Sequence, residues 1–195
     1  MQRGRKPDDR ILLVLDLDET LIHARETPLE RAADYMIYGY HVYRRPFLDD
    51  FLAGCARGFE LAVWSSASDL YVQAVVQAIF PDPGKLHFVW GRSRASLRHI
   101  TPDDSAFYDP WDHRHYVKPF SKLRRAGWNL DRALIVDDTP EKCVRNYGNA
   151  IYPRPYEGDL ADRELPALGR FLETLKDVPN VRRIEKRGWR AQVDS

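Results

Sequence analysis

An α/β fold built on a parallel sheet is what this sequence predicts, and three observations predict it. Short continuous apolar runs recur along the chain, as in strands buried on both faces. Segments with helical spacing lie between those runs. Acidic and hydroxyl residues gather directly after the runs, where open parallel sheets bind their ligands. The length of 195 residues fits one domain. A chain of that size buries roughly 70% of the surface its unfolded form exposes, so it needs no disulfide or metal staple to fold.

Ile11-Leu12-Leu13-Val14-Leu15 is the first such run. Residues 19–45 follow with Tyr35, Ile37, Tyr38, Tyr40, Val42 and Tyr43, and read as an aromatic flap of strand or hairpin. Pro46 suits a helical first turn, and Phe47, Leu48, Phe51, Leu52 and Cys55 repeat at helical spacing after it. Phe59–Trp64 reads as the second buried strand, and Ser68–Ile79 as a helix with Ser68 or Asp69 as its cap. Residues 81–117 are rich in proline, aspartate, histidine and aromatics without a helical period. So long a stretch reads as a small inserted cap. Pro119–Ala126 and Pro140–Tyr147 each open with proline and read as helices flanking a strand at Arg132–Val136. Ala150–Tyr152 is a fourth strand and Leu165–Leu175 a last helix. The expected organisation is a single domain over residues 11–178, with a polar tail at 1–10 and a basic tail at 179–195.

Composition narrows the function classes. Apolar residues make up 44% of the chain and charged residues 30%, a folded and not a disordered balance. The 30 basic and 29 acidic side chains leave a net charge of +1, which gives no bulk attraction to nucleic acid or membranes. No apolar run reaches the roughly 18 residues of a membrane span, and the polar start has no signal-peptide core. Two cysteines build no disulfide framework, so the expected compartment is the reducing cytoplasm. Six residues after Cys55 and Cys143 stand Leu61 and Asn149, where a cysteine-phosphatase loop requires arginine. Both cysteines read as packing residues.

The chemistry concentrates at the strand ends. The first run ends in Asp16-Leu17-Asp18-Glu19-Thr20. If the chain stays extended there, Asp16 and Asp18 project to one side, because strand side chains alternate. The second run ends in Ser65-Ser66, another in Asp137-Asp138-Thr139, and Lys118 closes the insert. Carboxylates crowded this way raise one another's pKa unless a cation sits among them. Oxygen donors suit Mg²⁺, bound through one or two carboxylates with waters and a substrate phosphate. Lys118 and Ser65 supply the charge and hydroxyl that a phosphate dianion needs. One aspartate would attack phosphorus to form an aspartyl-phosphate, and the other would protonate the leaving oxygen and later deprotonate water. A strand-end turn capped by aspartates is the plain alternative for Asp16 and Asp18. It leaves Asp137, Asp138 and Lys118 at matching strand ends unexplained. Ser65-Ser66 also fits a plain helix cap.

Four motifs in order carry a resemblance. Leu15-Asp16-Leu17-Asp18-Glu19-Thr20-Leu21-Ile22-His23 resembles the first motif of the haloacid-dehalogenase superfamily. It is closer still to the branch of phosphatases acting on the RNA polymerase II C-terminal domain (the FCP/SCP or NLI-interacting-factor-like type), bacterial relatives included. Val63-Trp64-Ser65-Ser66 resembles the second motif, Tyr116-Val117-Lys118 the third, and Ile135-Val136-Asp137-Asp138-Thr139-Pro140 the fourth. Arg44-Arg45-Pro46 followed by Phe51-Leu52 also sits as it does there. The resemblance implies a Rossmann-like parallel sheet flanked by helices, with Asp16 as nucleophile and Asp18 as acid/base. It implies Mg²⁺ on Asp16, the backbone carbonyl of Asp18 and Asp138, supported by Asp137 through a water or from behind. Ser65, Ser66 and Lys118 would bind phosphate, with Tyr71 and Arg92 facing the substrate. The family commonly has threonine where Ser65 stands. Its eukaryotic small phosphatases place an aromatic residue where Arg25-Glu26-Thr27 stands here.

The resulting expectation is a phosphomonoester hydrolase acting on phosphoserine or phosphothreonine in protein segments, for which the lack of a large separate cap leaves room. Two alternatives remain open. One is the same chemistry on a metabolite or nucleic-acid-end phosphate. The other is a non-catalytic phosphate-binding scaffold, which would be expected to lack the nucleophile or the acid/base. Asp18 argues against a dehalogenase. Asp109, His113 and His115 could ligate zinc but read as a polar loop. The charges from Arg182 to Arg190 read as a solvated end.

Overall fold

The computed structural model describes residues 10–97, 116–146 and 148–193. Asp109, His113 and His115, with the zinc-or-loop alternative they carry, lie outside the described residues. In chain order come β1 (Ile11–Leu15), β2 (Ile22–Arg25), β3 (Tyr35–Ile37), β4 (Tyr40–Arg44) and α1 (Leu48–Gly58). Next are β5 (Phe59–Trp64), α2 (Asp69–Ile79), β6 (Val89–Trp90), β7 (Ser96–Leu97) and β8 (Tyr116–Val117). The chain continues with α3 (Ser121–Arg125), β9 (Ala133–Val136), β10 (Ala150–Ile151) and α4 (Glu164–Leu175).

The central sheet is parallel, in the order β10-β9-β1-β5-β6. All of β1 is buried because both faces are covered. Ile11, Leu13 and Leu15 pack toward α1, α2 and α4, while Leu12 and Val14 pack toward Phe120, Leu123 and Cys143. Truncating one of these leucines to alanine removes about 2–5 kcal/mol of stability. The flap is a separate antiparallel sheet, β2-β4-β3. Its tip is a two-residue turn in which Tyr38 and Gly39 both take positive φ, 50° and 86°, as a tight hairpin requires. Among the described residues, no helix is long and apolar enough to cross a membrane.

Four local expectations change. Val89 and Trp90 pair in parallel with β5, so the stretch read as an insert from residue 81 first supplies the edge strand of the main sheet. Two residues are too short to show a period; Phe88 stacks on Trp90, and Trp90 meets Trp64 edge-on, which fixes that edge. Of the stretch read as a helix from Pro140, the described residues form only a 3₁₀ turn over Pro140–Cys143, because Asn146 spends its side chain on the backbone of Lys118 and Phe120 and β10 begins only four residues later. Phe47, in the left-handed region at φ 64°, caps α1, so Pro46 precedes the helix and does not open it. The charged C-terminal stretch packs down: Val181 and Trp189 are buried, and Trp189 stacks on Phe171 of α4. Apolar residues spaced among the charges anchor it there.

Candidate active site

The register of the sheet brings the site together. Leu15 pairs with Val63 on one side and with Val136 on the other, so the chain leaves β1, β5 and β9 at one level. Asp16 donates its backbone N–H to Val136 at 3.0 Å, and Ser65 donates its own to Trp90 at 2.9 Å. Beyond Asp16 the chain turns sharply. The carbonyl of Leu17 accepts from the N–H groups of Thr20, Leu21 and Ile22, with Glu19 at φ 60°.

Lys118 lies between two buried aspartates, its Nζ 2.8 Å from Asp16 Oδ1 and 2.6 Å from Asp137 Oδ2. Burial would strip its proton, but Asp137 and Asp16 outweigh burial and hold the ammonium charged. Its backbone is fixed as firmly. Lys118 donates its N–H to the Lys142 carbonyl at 2.8 Å and accepts from Asn146 Nδ2 at 2.6 Å.

Asp16 and Asp18 stand two residues apart under opposite influences. At Asp16 burial pushes the carboxyl up. Lys118 and Lys142, with hydrogen bonds from Lys118 and the Leu17 N–H, overcome that push and hold it below the ordinary range. At Asp18 burial and the charge of Asp16 win, and its pKa is raised. The Tyr71 hydroxyl donates to Asp18 Oδ1 at 2.8 Å and Ser65 Oγ to Oδ2 at 3.3 Å, which orients the carboxyl and limits the rise. Two neighbouring carboxyls shifted in opposite directions, Asp16 down and Asp18 up, suit the division of roles that acid-assisted nucleophilic attack needs.

Oxygens of Asp16, Asp137 and Asp138 lie within 4.8 Å of one another. Burial and the charge of Asp16 push Asp137 up to about 6, and they raise Asp138 as well. An all-carboxylate set short of positive charge fits a hard, oxygen-seeking dication. Asp137 has both oxygens engaged, one by Lys118 and one by the Thr139 N–H at 3.0 Å, and so stands behind the other two. Asp138 is steered by the hydroxyls of Thr20 at 3.3 Å and Thr139 at 3.1 Å.

The structure thus gathers Asp16, Asp18, Ser65, Lys118, Asp137 and Asp138, with Tyr71 bonded into the group. Ser66 and Arg92 adjoin it differently. Arg92 Nε donates to the backbone carbonyl of Ser66 at 2.9 Å, and its guanidinium lies 5.3 Å from the Tyr116 ring centre. Sequence reasoning missed three residues. Lys142 reaches 3.4 Å from Asp16 Oδ2; a lysine four residues past Asp138 was the available signal. Thr20 bridges the first and fourth motifs, since its hydroxyl also accepts from the Asp138 N–H at 3.2 Å. Arg45, wholly buried, binds Asp162 at 2.8 and 3.0 Å and donates to the carbonyls of Thr20 at 2.9 Å and Arg154 at 2.8 Å. No local pattern announces a partner as distant in sequence as Asp162.

A parallel sheet whose strand ends carry paired aspartates beside a buried lysine defines a haloacid-dehalogenase type of α/β protein. Residues 11–182 match the NLI interacting factor-like phosphatase family, and the chain belongs to it. The human carboxy-terminal domain RNA polymerase II polypeptide A small phosphatase 1 is 30% identical over 181 residues, covering 89% of this chain and 62% of that protein. A probable C-terminal domain small phosphatase of Dictyostelium discoideum is 32% identical over 184 residues, covering 88% and 53%. The chain therefore spans little more than half the length of these relatives. A variant of the fission yeast RNA polymerase II CTD phosphatase Fcp1 bound to beryllium fluoride shares the fold. Its TM-score is 0.57 at 17% identity, over 95% of this chain and 51% of that one.

Proposed function

We propose that this protein is a Mg²⁺-dependent phosphomonoester hydrolase that works through an aspartyl-phosphate and takes phosphoserine or phosphothreonine in protein segments. The observation that carries this reading is the placement of two buried aspartates two residues apart with different partners, Asp16 bound by Lys118 at 2.8 Å and Asp18 by the Tyr71 hydroxyl at 2.8 Å, and with pKa values shifted down and up respectively. An oxygen of the Asp16 carboxylate attacks phosphorus as the bond to the substrate oxygen breaks, and Asp18 gives its proton to that leaving oxygen. Asp18, now ionised, takes a proton from water, and the resulting hydroxide attacks phosphorus. Inorganic phosphate leaves and Asp16 is restored. Lys118 and Ser65 stabilise the phosphoryl oxygens, and Tyr71 holds Asp18 toward the leaving group. Bound by Asp16, Asp138 and the Asp18 carbonyl, with Asp137 behind, Mg²⁺ would neutralise charge between nucleophile and phosphate.

A protein substrate is supported by the names of the relatives and by the rim. Tyr40 and Leu70 are exposed beside Tyr71, whose ring lies 5.8 Å from that of Tyr40. Such an apolar rim suits a peptide chain better than a sugar phosphate. The near-zero net charge disfavours nucleic acid, and two buried free cysteines suit a reducing cytoplasm. The test is phosphate release from p-nitrophenyl phosphate, phosphoserine, phosphothreonine and phosphotyrosine peptides, sugar phosphates and a 3′-phosphorylated oligonucleotide. Each is assayed with Mg²⁺ or chelator and beside Asp16→Asn. Turnover of phosphoserine or phosphothreonine peptides that needs both Mg²⁺ and Asp16 is expected. Preference for a metabolite or oligonucleotide overturns the substrate, and turnover in Asp16→Asn overturns the mechanism.

A further inference from the structure

Buried lysines in this protein are held in two ways. Lys118 makes two short carboxylate contacts, and Lys186 donates to the carbonyls of Val181 and Ile184 at 2.6 and 2.7 Å. Both are pinned at the ammonium. Lys142 is also buried, yet among the described residues its side chain makes one long contact, 3.4 Å to Asp16 Oδ2. Its backbone is fixed, by an N–H donated to Thr139 at 3.1 Å and a carbonyl that accepts from Lys118. Four rotatable bonds then separate a fixed Cα from a loosely held charge.

The surroundings of that charge are anionic. Asp16, Asp137, Asp138 and Asp18 all draw on it and keep it protonated despite burial. Four carboxyl groups surround two ammonium groups there, and a dication bound among them would repel the charge of Lys142. The loosely held ammonium thus rests on Asp16, which is also a member of the three-carboxylate cluster.

We propose that Lys142 is an internal counter-ion: in the metal-free protein it holds the catalytic carboxylates together, and Mg²⁺ displaces it. The inference rests on the metal-dependent reading above. It explains why Lys142 is held by one long contact where Lys118 and Lys186 are each held by two short ones.

The test is calorimetric titration of Mg²⁺ into the metal-free full chain, comparing wild type with Lys142→Met, Lys142→Gln and Lys142→Arg. Removing a unit charge this close to a dication should tighten Mg²⁺ binding by roughly tenfold or more in the Met and Gln variants. Lys142→Arg, which keeps the charge, should bind no tighter than wild type. Thermal unfolding gives a second readout. In chelator the neutral variants should melt below wild type, and Mg²⁺ should raise their midpoint by more. Unchanged or weaker Mg²⁺ binding in both neutral variants overturns the inference alone; if it comes with a lower kcat at saturating Mg²⁺, Lys142 is a phosphate ligand instead. A wild type that binds no Mg²⁺ overturns both the inference and the metal-dependent reading.

Discussion

Asp16, Asp137 and Lys118 are all but sealed from solvent at the ends of strands, whereas Tyr40 and Leu70 at the rim are 38% and 71% exposed. The floor of the site is held by strand register, so each group has neighbours in contact on every side. The rim is held by a hairpin turn and one helix face, with room to move. Chemistry and recognition therefore sit on parts of very different tolerance: a floor substitution should cost stability and turnover together, and a rim substitution selectivity alone.

Lys118→Met presses hardest on that contrast. It leaves Asp16 and Asp137 buried without their shared cation, which should cost about 3–5 kcal/mol of stability. Turnover should fall by about a hundredfold or more. Urea unfolding and steady-state kinetics check both, and near-normal stability would show that the floor is softer than its burial implies.

The floor should also report on pH. Glu19, pushed up to about 8 by burial and by Asp18 and Asp138, and Asp137, pushed up to about 6, bind protons in the folded state that the unfolded chain releases at lower pH. Stability then falls as pH rises through those values. His23, lowered by burial and by Arg25, works weakly in the opposite direction. In chelator the melting midpoint should drop by a few degrees between about pH 5.5 and 8.5, and saturating Mg²⁺ should flatten the slope.

Tyr71 joins the two regions. Tyr71→Phe removes a hydrogen bond that stabilises the Asp18 carboxylate, so the Asp18 pKa rises further. The basic limb of the kcat/KM profile should move to higher pH by about one unit or less, with the rate within about tenfold of wild type. The smallest effect belongs to the rim. Tyr40→Ser combined with Leu70→Ser should raise KM for a phosphopeptide several-fold and leave p-nitrophenyl phosphate within about twofold. Equal losses on both substrates would place the rim in the chemistry.

The same contrast governs what could be read without a structure. β1, β5 and β9 are legible because burial on both faces makes them continuous apolar runs, and the carboxylates stand out because they follow those runs directly. β6 is illegible, since two residues carry no period. The turn at Pro140–Cys143 imitates a helix start, and what stops it is Asn146 bonded to Lys118 and Phe120, a tertiary event. Lys142, Thr20 and Arg45 act through partners more than twenty residues away, and Arg45 through one 117 residues away. Trp189 hides among charges because only one side of its segment meets α4.

The flap begins and ends at the same place. Ile22 pairs with Arg44, Arg45 donates its N–H to the Leu21 carbonyl, and the buried Arg45 side chain locks that junction to Thr20 and Asp162. The excursion between is clamped at its base, so its length can change at little cost in loop closure as long as Ile37 keeps its place in the core and Tyr40 its contact with Tyr71. Evolution could thus treat this segment as an exchangeable cassette. Grafting a relative's flap between Arg25 and Val42 should carry that relative's substrate preference onto an unaltered catalytic centre.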